Sequence, residues 1–176
     1  MMLRRKLALV AGVALGLASI EAGAAAQRYP SPVEVAVSQN GKRLFIVCEG
    51  TDEVVVYDTS SHAVARRIAV GRAPKDLTLS PDGKRLYVAN SWSDTVSEID
   101  AQSLEVVRNL ATGFEPNAAM VDRAQRYLYV ANRISGDVSV VDLATGQETK
   151  RLVAGRGASY LALSSDGSKV YCTHIY

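Results

Sequence analysis

The sequence predicts an all-β chain, a β-propeller built from four-stranded antiparallel blades, and three observations predict it. First, the segment Leu86, Tyr87, Val88, Ala89, Asn90 stands 42 residues after Leu44, Phe45, Ile46, Val47, Cys48 and 42 before Leu128, Tyr129, Val130, Ala131, Asn132. A fourth copy, Val170, Tyr171, Cys172, Thr173, His174, follows at the same step. Second, other positions keep this spacing without insertion: Asp58, Asp100 and Asp142; Gly71, Gly113 and Gly155; Pro32, Pro74 and Pro116. Third, each repeat divides into four short apolar stretches separated by turn residues, and a repeat of about 40 to 45 residues holding several strands marks a propeller blade.

In chain order, residues 1–26 read as a signal peptide. Arg4, Arg5 and Lys6 form the basic start, 7–20 the apolar stretch, and Ala22-Gly23-Ala24 or Ala24-Ala25-Ala26 a small-residue cleavage site. The apolar stretch is short against the ~20 residues that span a bilayer. The expectation is export to the periplasm or beyond, with no membrane association after cleavage. Arg4-Arg5 only partly matches a twin-arginine signal. Of 20 basic and 18 acidic residues, Arg4, Arg5, Lys6 and Glu21 fall in this segment, which leaves 17 of each. A neutral remainder carries no electrostatic footprint for nucleic acid.

Residues 27–176 form the propeller region, with blades at 33–70, 75–112 and 117–154 and a half blade at 159–176. In the second repeat, Leu77 and Leu79 alternate with polar residues before a turn at Pro81-Asp82-Gly83. Residues 85–90 are nearly all apolar, as expected of a strand covered on both faces. Residues 95–100 and 105–111 follow, joined by a short polar turn. Asp82-Gly83, Asn40-Gly41 and Asp166-Gly167 supply the positive backbone angles of a tight hairpin. The third repeat has Asp122-Arg123-Ala124-Gln125 there, so its turn is expected to differ. Asp58, Asp100 and Asp142 precede the third-to-fourth connections and read as turn caps. Arg66, Arg108 and Lys150 recur on the last strands, where charge guards an exposed edge.

These residues resemble the YVTN-type β-propeller repeats of bacterial and archaeal secreted proteins. The resemblance runs from about Ser31 onward and rests on Ser80-Pro81-Asp82-Gly83-Lys84-Arg85-Leu86-Tyr87-Val88-Ala89-Asn90, on Val54-Val55-Val56-Tyr57-Asp58 and on the closing glycines. WD-type repeats carry Trp-Asp at the end of the third strand, whereas Asp58, Asp100 and Asp142 here follow Tyr57, Ile99 and Val141. The resemblance implies a seven-bladed ring, of which about three and a half blades lie in this sequence. The expected neighbours are therefore the remaining blades, and end sheets without them should make the chain poorly soluble.

A meander places the second-to-third loops and the blade-to-blade links on one face, and this is the expected binding side. Arg72, Phe114 and Arg156 share one position in the links, with Trp92 and Arg133 in neighbouring loops. They form a candidate face for a protein, a glycan or a small ligand, on a scaffold without chemistry of its own. The position ending each second strand reads Cys48, Asn90, Asn132 and His174. Asparagine suits hydrogen bonding to the loop backbone it begins. His174 is the one candidate cofactor residue, because some similar periplasmic propellers hold haem with a histidine ligand. The alternative function is therefore the propeller portion of a periplasmic haem-linked oxidoreductase, with haem in the channel or in a cytochrome domain beyond the C-terminus. A lactone-hydrolysing propeller is a third reading without a visible ligand cluster. No C-x-x-C-H, paired metal-spaced histidines or G-x-S-x-G turn occurs, so no catalytic or metal residues are assigned. Cys48 and Cys172 lie three blades apart, too far for a disulfide, and both are expected to be free and largely buried.

Overall fold

The computed structural model describes residues 28–175. The expected signal peptide at 1–26 lies outside them. Among the described residues, fourteen strands form three four-stranded meanders and one hairpin, every pair antiparallel. The first blade comprises β1 (Pro32–Val37), β2 (Arg43–Cys48), β3 (Glu53–Asp58) and β4 (Ala63–Ala69). The second comprises β5 (Pro74–Leu79), β6 (Arg85–Asn90), β7 (Thr95–Asp100) and β8 (Val106–Ala111). The third comprises β9 (Pro116–Val121), β10 (Tyr127–Asn132), β11 (Asp137–Asp142) and β12 (Gln147–Val153), and the hairpin is β13 (Ala158–Leu163) with β14 (Val170–His174).

The second strands are largely apolar, and in β6 and β10 both faces meet neighbouring sheets. From β2, Phe45 and Val47 enter the layer shared with the second blade, where they pack with Leu77, Leu86, Val88 and Ile99. The alternate residues Tyr87 and Ala89 point the other way, into a layer with Leu110, Leu128, Val130 and Val141. A period of two thus lets one strand supply two cores. A smaller alanine-lined layer, Ala118, Ala131 and Ala158, joins the third blade to the hairpin.

Turn chemistry repeats as closely as the core. In the first connection of the second blade, Ser80 Oγ accepts the Arg85 amide, and Gly83, at φ +72°, donates to the Ser80 carbonyl. The third blade was expected to turn differently and does not. Gln125 takes φ +55° and donates to the Asp122 carbonyl, while the Asp122 carboxylate accepts the amides of Arg126 and Tyr127. One aspartate at the serine position does the work of both Ser80 and Asp82, so the turn survives loss of its glycine. The caps at the third-to-fourth turns are as expected: Asp58, Asp100 and Asp142 each accept two backbone amides from the following residues.

Two further expectations require correction. The outer-strand arginines are not simply solvated guards, because each reaches the next blade: Arg66 pairs with Glu105 at 2.7 Å, and Arg108 donates to the Leu143 carbonyl at 2.5 Å. Arg108 also pairs at 2.6 Å with the buried Glu98. The cysteines are free, but only Cys48 is buried; Cys172 is half-buried because β14 has a strand partner on one side alone among the described residues.

Candidate functional site

The second-to-third loops and the blade-to-blade links meet on one face, as backbone hydrogen bonds show. Trp92 N–H donates to the Arg72 carbonyl, Ile134 N–H to that of Phe114, and Gly50 N–H to that of Pro30. In the first two blades the loop is a single 3-10 turn, Glu49–Thr51 and Ser91–Ser93, closed by a left-handed aspartate, Asp52 or Asp94. That aspartate then reaches the link: Asp52 accepts the Ala73 amide at 2.8 Å and Asp94 the Glu115 amide at 2.9 Å. Short polar side chains tolerate the left-handed region and bond locally. Each loop is therefore clamped to the link beside it, and Trp92 and Phe114, between the clamps, project to solvent.

Arg72 and Trp92 form the best-defined pair. Backbone bonds run both ways, since the Arg72 amide donates to Ser93 Oγ at 2.8 Å while its carbonyl accepts from Trp92. This holds the Arg72 guanidinium 5.7 Å from the Trp92 ring centroid, within cation–π range. Trp92 remains 65% exposed and Phe114, in the next link, 63% exposed. Beside the pair opens a cleft of ≈ 420 Å³ whose lining includes Arg28, Glu49, Asp52, Arg72 and Trp92. Glu49 is held by Lys75 at 2.6 Å and Asp52 by Arg28 at 2.7 Å. Burial acts to raise the Asp52 carboxyl, but the Ala73 amide and the Arg28 guanidinium outweigh it and hold the group below its ordinary value.

A second, smaller crevice of ≈ 260 Å³ is lined by Arg133, Ile134, Arg156, Gly157 and Ile175. Arg133 places both Nε and Nη2 on Glu115 Oε1, at 3.1 and 2.6 Å. The structure thus brings Arg72 to Trp92 and Arg133 to Arg156, in two clefts that share no lining residue. Phe114 lies in the link between them. Arg28, Glu49 and Asp52 escaped sequence reasoning, although the repetition of Asp52 at Asp94 was a legible signal.

His174 has a structural use. Its Nε2 lies 2.8 Å from the Ala154 carbonyl oxygen. A carbonyl only accepts, so Nε2 carries the proton. Asn90 and Asn132 were expected to bond loop backbone, and the structure corrects this. Each is fully buried and donates to side chains of the following strand, Asn90 to Thr95 and Ser97, Asn132 to Asp137 and Ser139. No group of three or more His, Cys, Asp or Glu among the described residues is arranged to hold a metal ion.

A family model described as YNCE-like beta-propeller matches residues 2–175. Among solved structures, Kuenenia stuttgartiensis hydrazine synthase is similar with a TM-score of 0.78 and 24% identity, over 87% of this chain and 44% of that one. A candidate 6-phosphogluconolactonase from Bacteroides uniformis ATCC 8492 is similar with a TM-score of 0.70 and 18% identity, over 80% of this chain and 46% of that one. Both likenesses speak to the fold, and the chain spans less than half of either structure. No curated protein matches.

Proposed function

Because this chain belongs to the YNCE-like β-propeller family, we propose that it is an exported binding scaffold that presents its loop face to a protein, glycan or small ligand. The finer assignment of its blades to YVTN-type repeats is part of this reading. One observation carries it: Arg72 held over the ring of a largely exposed Trp92 at the mouth of a charged cleft, with Phe114 exposed in the adjoining link. Aromatics and arginines are enriched among the residues that anchor partners, and the aromatics offer large contact area with few rotors to freeze. Rigid sheets hold them, and the loop clamps already restrict their backbone.

The test is a photo-crosslinking residue placed at Phe114, and separately at Gln102 in a turn of the opposite face, in the producing cells. A product specific to the Phe114 probe is expected. Equal yields from both positions would remove the case for a binding face. Export is checked independently by the mass of the mature protein, expected to begin near Gln27.

The alternative, a haem-linked oxidoreductase, rests on His174 for any haem held by this region itself. The bond from Nε2 to Ala154 leaves only Nδ1 of that ring for iron. An absorbance spectrum of the purified chain with added haemin tests it, and a Soret shift lost in His174→Ala would favour it over the scaffold.

A further inference from the structure

Two repeat positions carry opposite charges in the first and third blades and lose them in the middle one, and a third, between them, is charged in the third blade alone. They read Glu53, Val64, Arg67 in the first blade, Thr95, Val106, Asn109 in the second, and Asp137, Glu148, Arg151 in the third. In the first blade, Arg67 pairs with Glu53 at 2.6 Å. In the third, the Arg151 guanidinium lies 2.7 Å from Glu148 and 3.6 Å from Asp137. A guanidinium occupies both places. The second blade has neither charge there, and a crevice of ≈ 380 Å³ opens between the end of β4 and the face of β7 and β8.

Its polar lining is Ser93, Thr95, Ser97 and Asn109. Asn90 Nδ2, from behind, donates to Thr95 Oγ1 at 3.3 Å and Ser97 Oγ at 2.9 Å, and Ser97 donates on to Asn109 Oδ1 at 2.8 Å. Ser93 Oγ accepts the Arg72 amide. What remains without a partner among the described residues is a set of donors: the Ser93 and Thr95 hydroxyl protons and the Asn109 amide nitrogen. Val106, Ala69 and Val70 supply an apolar wall. Donors without formal charge, set against an aliphatic surface, suit a ligand with hydroxyl oxygens on its edge and C–H groups on its face. They suit an ion poorly, because desolvation would meet no countercharge.

We propose that this inter-blade crevice is a subsite for a small neutral polyol, in the size range from glycerol to a monosaccharide. It lies beside the loop face and stands independently of the function proposed for that face. A few neutral hydrogen bonds in an open crevice correspond to binding in the millimolar range.

The experiment is an amide-shift titration of the ¹⁵N-labelled full chain with glycerol and with D-glucose, each to about 100 mM. Saturable shifts are expected at residues 69–71, 93–97 and 109, with the corresponding amides of the third blade, 111–113 and 135–139, unmoved. D-gluconate, an anion of similar size, is expected to bind more weakly than glucose. The double variant Thr95→Asp with Asn109→Arg writes the third blade's pair into the second, and should fold and lose binding at least about tenfold. A shape-conserving Thr95→Val should weaken it several-fold. The proposal fails if no shift saturates, if both blades respond alike, if gluconate binds more tightly, or if both variants titrate like the parent.

Discussion

The repeated glycine and the residue that ends each second strand interlock across blades. A Cβ at Gly71 would stand 2.7 Å from the Asn90 side chain, and one at Gly113 2.6 Å from Asn132 Nδ2. The bare backbone makes room for a buried asparagine that ties the next blade's second strand to its third. Gly71→Ala should therefore destabilise by about 1–3 kcal/mol, the usual scale of overpacking. Asn90→Ala should destabilise as well, but the double variant should cost less than the two singles together, because the clash has gone. Urea denaturation of the four proteins measures this, and strict additivity would refute the interlock. Asp76 offers a second residue-scale test. Burial pushes its carboxyl up, outweighing the Ala119 and Leu77 amides that lower it, and the nearby Glu34 charge adds to the rise. A raised folded value means that ionised Asp76 opposes folding. That penalty is absent below the unfolded value of about 3.9 and grows as pH rises through the folded one. Asp76→Asn keeps an oxygen for the Ala119 amide, and thermal melts should show a gain at pH 7 that vanishes near pH 3.

At the level of elements, the turns are more robust than their glycines suggest. The connection between β9 and β10 holds Gln125 in the left-handed region, where a residue with a Cβ is strained by about 1–2 kcal/mol. Gln125→Gly should release part of that and raise the melting temperature, whereas Asp122→Ala should lower it by removing the acceptor for two amides. Acid acts on the same class of contact. Backbone amides hold Asp58 and Asp100 below their ordinary values, and Ser164 and Ser168 hold Asp166 down at about 2. The stability these groups contribute is present above the unfolded value near 3.9 and disappears as pH falls through the depressed folded values. The strands and turns could be read from sequence because apolar alternation and Asp-Gly pairs act locally. The bridging by Arg66 and Arg108 could not, since their partners sit on the following blade.

At the scale of the molecule, blade position decides which equivalent residues are covered. Leu77 and Ala119 are buried, whereas Val35, at the same repeat position in the first blade, is 52% exposed. At the other end Tyr171 is exposed where Phe45 and Tyr87 are buried. Such apolar sheet faces favour association. Sedimentation should show concentration-dependent self-association, and Val35→Lys with Val37→Lys should shift the chain toward monomer; a parent monomeric at every concentration would contradict this.

By itself the sequence determined the repeat length, the strands, the capped turns and the side on which loops gather, because each follows from contacts within one repeat or from its regular recurrence. The candidate loop residues were legible as a group, but their division into two clefts was not. Only the tertiary structure decided that division, the seating of Asn90 against Gly71 and the opening at Thr95 and Asn109. These depend on how one sheet meets the next, and side chains separated along the chain find each other only after the blades have stacked.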